Sequence, residues 1–150
     1  MREPQEPLRV YVVEDSTIIR RLLTSTIEAA GAELAGQSAD APSAIADLSV
    51  MRPDLVVIDI GLKSGTGFDV LEALQKLDRK PSPIKVVLTN HANAEYRRMS
   101  LRLGANGFFD KSTETAQVIA LINALAHEKL RRFDLPAAAA RSAPQDQTRD

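Results

Sequence analysis

Apolar residues fall along this chain in five short runs separated by segments of helical period. The runs are Leu8 to Val13, Ala32 to Ser38, Leu55 to Ile58, Ile84 to Leu88 and Gly107 to Phe109. Their length and their β-branched or aromatic content predict strands. Val56-Val57-Ile58 and Val86-Val87-Leu88 are apolar without alternation, which suits strands covered on both faces and places these two in the middle of a sheet. The run from Ala32 to Gln37 is the most polar and belongs at an edge. Between the strands, Ile19, Leu22, Leu23 and Ile27 make a helical stripe that Gly31 stops. Asp40-Ala41-Pro42 opens a short helix carrying Ala44, Ile45 and Leu48, with proline tolerated in its first turn. Phe68, Leu71 and Leu74 mark a helix after the Gly65-Thr66-Gly67 turn, and Asn93 caps another that runs through Leu103 to Gly104. The last carries Val118, Leu121, Ile122 and Leu125, with Ser112 as the expected N-cap, Glu114 favourable to its dipole and a basic finish at Lys129 to Arg132. Strands alternating with helices predict an α/β fold around a parallel sheet.

Length and charge narrow the picture further. The 150 residues, 44% of them hydrophobic, suffice for one domain with its own core. We expect flexible residues 1–7, a folded domain over 8–132 and a flexible tail over 133–150, where alanine, proline, glutamine and charge replace core formers. With 19 lysines and arginines against 20 acids, nothing favours wholesale binding to nucleic acid or to a membrane. The chain has no cysteine, which rules out thiolate chemistry and fits a reducing, cytoplasmic setting. No apolar run approaches the roughly 18 residues of a membrane span.

The candidate chemistry sits at strand ends. Glu14-Asp15 closes the first strand, Asp59 the third and Thr89 the fourth, while Lys111 follows the fifth. In an open α/β sheet this carboxyl edge, near the reversal of strand order, is where ligands bind. Three carboxylates meet there, and like charges about 4 Å apart repel by roughly 4 kcal/mol at an effective dielectric near 20, so a counter-ion is expected. Oxygen ligands with room for water suit Mg²⁺. Lys111 brings a further positive charge.

Val-Val-Glu-Asp-Ser at 12–16, Arg-Pro-Asp-Leu-Val-Val-Ile-Asp at 52–59, Thr89 and Gly-Phe-Phe-Asp-Lys at 107–111 together resemble the receiver domains of two-component response regulators. The spacings agree as well, with 44 residues from Asp15 to Asp59, 30 on to Thr89 and 22 more to Lys111. The resemblance covers about residues 8 to 132. It implies a CheY-like, flavodoxin-like doubly wound (βα)5 fold with a five-stranded parallel sheet in the order 2-1-3-4-5. Asp59 would then be the nucleophile, taking a phosphoryl group from the histidine of a sensor kinase or of a histidine phosphotransfer protein. Asp15, Asp59 and the backbone carbonyl of Gly61 would ligate Mg²⁺, and Glu14 would hold a metal-bound water. Lys111 would pair with phosphoryl oxygens. Thr89 would hydrogen-bond another of them, Phe108 would swing inward behind it, and the face made by the fourth helix, fifth strand and fifth helix would pass the change to a protein effector. The implied protein is a free-standing signalling module, without an output domain and without enzymatic turnover beyond its own phosphorylation and dephosphorylation.

Two positions depart from the family pattern. Lys63 stands where proline is usual after the acceptor, and a solvated side chain is expected for it. Ser112 replaces the proline that usually follows the lysine across a cis peptide. A cis bond before serine costs about 3–4 kcal/mol, so we expect either a strained cis Lys111-Ser112 bond or a trans bond with the lysine shifted. Gly61 and His91 flank the site, and small Gly61 would leave a water's path open; the two histidines are too isolated for a metal site. The glycine-rich stretch 61–67 fails the spacing of a nucleotide-binding loop. An aspartate-nucleophile phosphatase would need a second aspartate at the place of Gly61. The remaining alternative is a receiver-shaped scaffold that works without phosphorylation.

Overall fold

Each expected run becomes an element in the computed structural model, which describes residues 6–134. The chain alternates β1 (Arg9–Val13), α1 (Thr17–Ala29), β2 (Glu33–Ser38), α2 (Ala41–Val50), β3 (Leu55–Ile58), α3 (Gly67–Leu77), β4 (Ile84–Thr89), α4 (Ala94–Arg102), β5 (Gly107–Asp110) and α5 (Thr115–Asp134). All strand pairs are parallel and the sheet order is β2-β1-β3-β4-β5. The polar strand β2 lies at an edge, and β3 and β4 lie inside, as the apolar pattern predicts. The segments 1–7 and 133–150, expected to be flexible, lie outside the described residues except for Glu6, Pro7, Phe133 and Asp134.

The period-two geometry of the strands splits the core into two layers. Val10, Val12, Leu55, Val57, Val86 and Leu88 meet Leu23 and Ile27 of α1 and Val118 and Ile122 of α5. Tyr11, Val13, Val56, Ile58 and Val87 face the other way, onto Ala44 and Leu48 of α2 and Val70, Leu71 and Leu74 of α3. Leu22, expected in the core stripe of α1, is 39% exposed, because it stands at the margin of that stripe, one position from buried Leu23.

Side chains close the helix ends. Ser16, Asp40, Thr66 and Asn93 each accept a backbone N–H of the first turn, and Asp69 returns the bond to Thr66 in a capping box. The C-terminus of α2 is closed from a distance. Arg79, beyond α3, donates from Nη1 to the carbonyls of Leu48 (2.9 Å) and Met51 (2.6 Å), and from Nη2 to that of Ser49 (2.6 Å). These are the carbonyls that a helix end leaves without partners. Arg79→Ala should cost about 1–3 kcal/mol, since hydrogen bonds from a charged donor are lost at several acceptors together. Arg79→Lys should recover only part of that, because an ammonium lacks the planar fork. Equilibrium urea unfolding reads both, and an unchanged midpoint in Arg79→Ala would contradict the assignment.

Candidate functional site

The parallel strands end together, and their carboxyl edge gathers the residues predicted from the sequence. Glu14, directly after β1, is 1% exposed; Asp59, directly after β3, is 5%; Thr89, the last residue of β4, is 0%. Backbone bonds set their positions. The Glu14 N–H donates to the Ser38 carbonyl, that of Asp59 to the Val13 carbonyl and that of Lys111 to the Thr89 carbonyl, at 2.9, 2.9 and 3.0 Å. Lys111 thereby leaves β5 pointing across the edge. Its Nζ lies 2.8 Å from Asp59 Oδ2 and 2.9 Å from Glu14 Oε1, with the lysine side chain 8% exposed.

Charge in this corner is incompletely balanced. Burial pushes the Glu14 carboxyl up to about 7; the Ser16 N–H (2.9 Å) and Lys111 pull it back, while Asp59 pushes it further. Burial acts to lower Lys111, but its bonds to Asp59 and Glu14 prevail and hold its proton more firmly than usual. One ammonium therefore serves two buried carboxylates, and Asp15 adds a third, half-buried one. Glu14, Asp15 and Asp59 each present an oxygen within 4.8 Å of the others. The second oxygen of Asp59, Oδ1, is buried without a partner among the described residues. A buried, unpaired, anionic oxygen beside two further carboxylates fits a hard divalent cation such as Mg²⁺.

A consequence is measurable in thermal unfolding. Mg²⁺ that binds only the folded state should raise the midpoint, with linkage of about 2.7 kcal/mol at a hundredfold excess over Kd. Asp15→Asn should weaken that response without disturbing the core, because Asp15 is only half buried. An equal Mg²⁺ response in the two proteins would remove Asp15 from the site.

Thr89 Oγ1 accepts the His91 N–H at 3.1 Å, which leaves the hydroxyl proton available for an incoming acceptor. Gly61 lies on the other side of the mouth and pairs with Thr66 across an isolated bridge. A Cβ added at Gly61 would stand 3.3 Å from His91 Nε2. The histidine is exposed, but it covers the position that Gly61 leaves bare. Lys63 is also exposed. Phe108 is buried on the α2–α3–α4 side of the sheet, 4% exposed, and the Arg97 guanidinium lies over its ring at 5.1 Å.

Two expectations about Ser112 change. The helix begins at Thr115, so Ser112 is not its N-cap. Both its N–H (2.9 Å) and its hydroxyl (2.7 Å) donate instead to Asp110 Oδ1, which captures the turn before the helix can start there. Those bonds hold the Asp110 carboxyl below its ordinary range. The Lys111-Ser112 peptide is trans; the cis bond among the described residues is Lys80-Pro81. The trans alternative holds, yet the lysine still reaches both carboxylates, because the Asp110 turn and the bond from Thr115 Oγ1 to the Lys111 carbonyl (2.7 Å) fix where it leaves the strand.

Three contributors take roles that the sequence reading did not assign to them. Ser16 orients Glu14 through its N–H. Gly67, at the start of α3, lets that helix rest against the Asp59 carbonyl. His91 holds Thr89 through its backbone. Only the glycine could have been suspected, as the close of a Gly-Thr-Gly turn.

The comparisons with known proteins agree with this geometry. Residues 10–123 match the family model described as the response regulator receiver domain. The chemotaxis protein CheY of Thermotoga maritima is 26% identical over 115 residues, spanning 77% of this chain and 94% of that protein. A protein-glutamate methylesterase/protein-glutamine glutaminase of Anaeromyxobacter dehalogenans is 33% identical over 113 residues, 75% of this chain but only 32% of the relative. The chain thus spans about a third of that enzyme. Among solved structures, the CheY-like response regulator receiver domain protein of Methanospirillum hungatei JF-1 superposes with a TM-score of 0.71 at 25% identity, over 86% of this chain and 99% of that one.

Proposed function

Because the chain belongs to the response regulator receiver domain family of two-component signalling, we propose that Asp59 accepts a phosphoryl group from a histidine kinase or a histidine phosphotransfer protein, and that phosphorylation switches a partner-binding surface. The observation that carries this reading is Asp59 itself, with one oxygen held by Lys111 and the other buried without a partner. Phosphoryl transfer asks a protein mainly for positioning and charge neutralisation, and both are built into this edge. An Asp59 carboxylate oxygen forms the new bond to phosphorus while the donor's phosphorus–nitrogen bond breaks, and the electron pair leaves with the imidazole. Lys111 moves its charge from the carboxylates toward the phosphoryl oxygens. Thr89 donates its hydroxyl proton to another of them, which draws its loop inward and disturbs the packing of Phe108. Asp15, Asp59 and the Gly61 carbonyl would hold Mg²⁺, with Glu14 holding a metal-bound water, and the ion would supply charge neutralisation for the phosphoryl group.

The same reading makes the protein a signalling component rather than an enzyme with a turnover substrate. The methylesterase relatives match over the receiver part alone, so their hydrolytic activity is not carried over. Among the described residues no helix is long and apolar enough to cross a membrane, and a cytoplasmic site of action suits a kinase partner. Its output passes to a protein effector at the face formed by α4, β5 and α5.

Incubation with acetyl phosphate and either Mg²⁺ or excess chelator, followed by intact-mass measurement, tests the proposal. One phosphoryl group gained only with Mg²⁺ is the expected result. No gain under either condition would favour a scaffold that works without phosphorylation.

A further inference from the structure

Tyr11, fully buried in β1, carries a hydroxyl into the apolar layer beneath α2. The edge strand gives way to admit it. Val10 pairs with Leu34 but Tyr11 pairs with Gly36, so β2 holds Ala35 as an extra residue, a bulge that re-aims the strand. Gly36 then leaves its face bare, for a Cβ there would stand 2.8 Å from Tyr11 Cε1 and 3.2 Å from Cδ1. The ring occupies that space. Its oxygen reaches Asp47 Oδ2 on α2 at 2.6 Å and Ser38 Oγ, at the end of β2, at 3.1 Å. A phenol has one proton. The shorter bond, to a carboxylate, takes it, and the Ser38 hydroxyl donates to the phenol oxygen in turn. Burial first, and then the bond to Asp47, push the Tyr11 hydroxyl above its ordinary range, so it stays a donor.

This relay ends on a segment that touches the site twice. The Ser38 carbonyl accepts the Glu14 N–H at 2.9 Å; the Ala39 carbonyl accepts the Lys63 N–H at 3.1 Å, and the Ala41 N–H donates to the Ser64 carbonyl at 2.9 Å. Residues 38–41 therefore clasp Glu14 on one side and, on the other, the loop that follows Gly61. A buried hydroxyl is costly unless its bonds are made. Here they are made, and both go to groups that fix where β2 hands the chain to α2.

We propose that Tyr11, acting through Ser38 and Asp47, is a positioning residue for the metal site: it holds segment 38–41, and that segment holds Glu14 and the Gly61 loop in register. The inference rests on the Mg²⁺ reading above and adds to it a residue that touches neither the ion nor the phosphoryl group.

The test uses the full chain, with Mg²⁺ alone as the probe. Tyr11→Phe keeps the ring and removes the hydroxyl. In metal-free protein, amide hydrogen exchange followed by NMR should speed up at Glu14 and Ala41 by about tenfold more than at Asp59, whose N–H donates to Val13 outside the clasp. Calorimetry without a phosphodonor should show Mg²⁺ binding weakened roughly three- to tenfold, less than the ~10–100-fold typical of partners bonded directly to a ligand. Asp47→Asn keeps an acceptor oxygen for the phenol and should stay within about twofold of wild type. Arg79→Ala, destabilised at the far end of α2, should bind Mg²⁺ like wild type. Exchange that rises equally at all three amides, or Mg²⁺ affinity unchanged in Tyr11→Phe, would overturn the proposal. So would a loss of affinity in Arg79→Ala or Asp47→Asn as large as that in Tyr11→Phe. A wild type that binds no Mg²⁺ would sink the metal reading instead, and the exchange pattern would still decide whether Tyr11 holds Glu14.

Discussion

Asp59→Asn should abolish phosphoryl uptake and, in chelator, raise the thermal midpoint by a few degrees. The two effects have one cause. In the metal-free protein Asp59, Glu14 and Asp15 crowd a single ammonium; the Glu14 carboxyl is pushed up to about 7, first by burial and in lesser part by the charge of Asp59. Asparagine keeps an oxygen for Lys111 and removes one negative charge, so relief on the order of 1 kcal/mol is expected, about 3–4 °C for a domain of this size. The amide cannot form the acyl phosphate, which makes the loss of uptake complete. The stabilisation should vanish when saturating Mg²⁺ is added, because the wild type gains more from the cation than the variant does. A variant that melts below wild type in chelator would mean that the Asp59–Lys111 pair stabilises the fold more than the crowded carboxylates destabilise it.

Gly67→Ala should be the most damaging single-methyl change near the site. The added Cβ would fall inside van der Waals contact of the Asp59 carbonyl oxygen, and 3.0 Å from both the carbonyl carbon and Ile58 Cγ2. Backbone cannot rotate away as a side-chain tip can. The Gly67 N–H also donates to the Ile60 carbonyl at 2.9 Å, so α3 has no room to lift without losing that bond. A cost of about 3 kcal/mol is expected, the upper end of ordinary overpacking, with a fall in midpoint of roughly 10 °C. Uptake should slow more than tenfold even below the melting range, because the strained carbonyl belongs to the acceptor residue. Gly31→Ala is the control. Gly31 sits at φ +78° with nothing within 4 Å of its Cβ position, so only backbone strain of about 1–2 kcal/mol applies and uptake should be unaffected. Equal stability losses in the two variants would remove the claim that Gly67 supports Asp59.

Much of this was legible because parallel strands end on one side of a sheet. Once β1, β3, β4 and β5 are recognised from their apolar runs, Glu14, Asp15, Asp59, Thr89 and Lys111 must meet. The centre and edge of the sheet were readable from Val56-Val57-Ile58 and from the polar β2. What escaped the sequence depends on contacts between distant segments or on competition within a turn. Arg79 closes a helix about thirty residues upstream, and Arg97 reaches Phe108 from a different element. Ser112 has the propensity of an N-cap, but Asp110 lies two residues away and takes both of its donors. Lys111 reaches its carboxylates from a trans peptide because the turn behind it is held by side chains, a matter of local hydrogen bonding that family pattern alone does not reveal.

The most direct test is to locate the modified side chain. After incubation with acetyl phosphate and Mg²⁺, borohydride reduces an aspartyl phosphate to homoserine, and peptide sequencing by mass spectrometry finds the residue so converted. The account predicts conversion at Asp59 alone. Homoserine at Asp15, reduction of Glu14 to the five-carbon alcohol, or a phosphoryl group on a hydroxyl or imidazole with Asp59 intact, would contradict it.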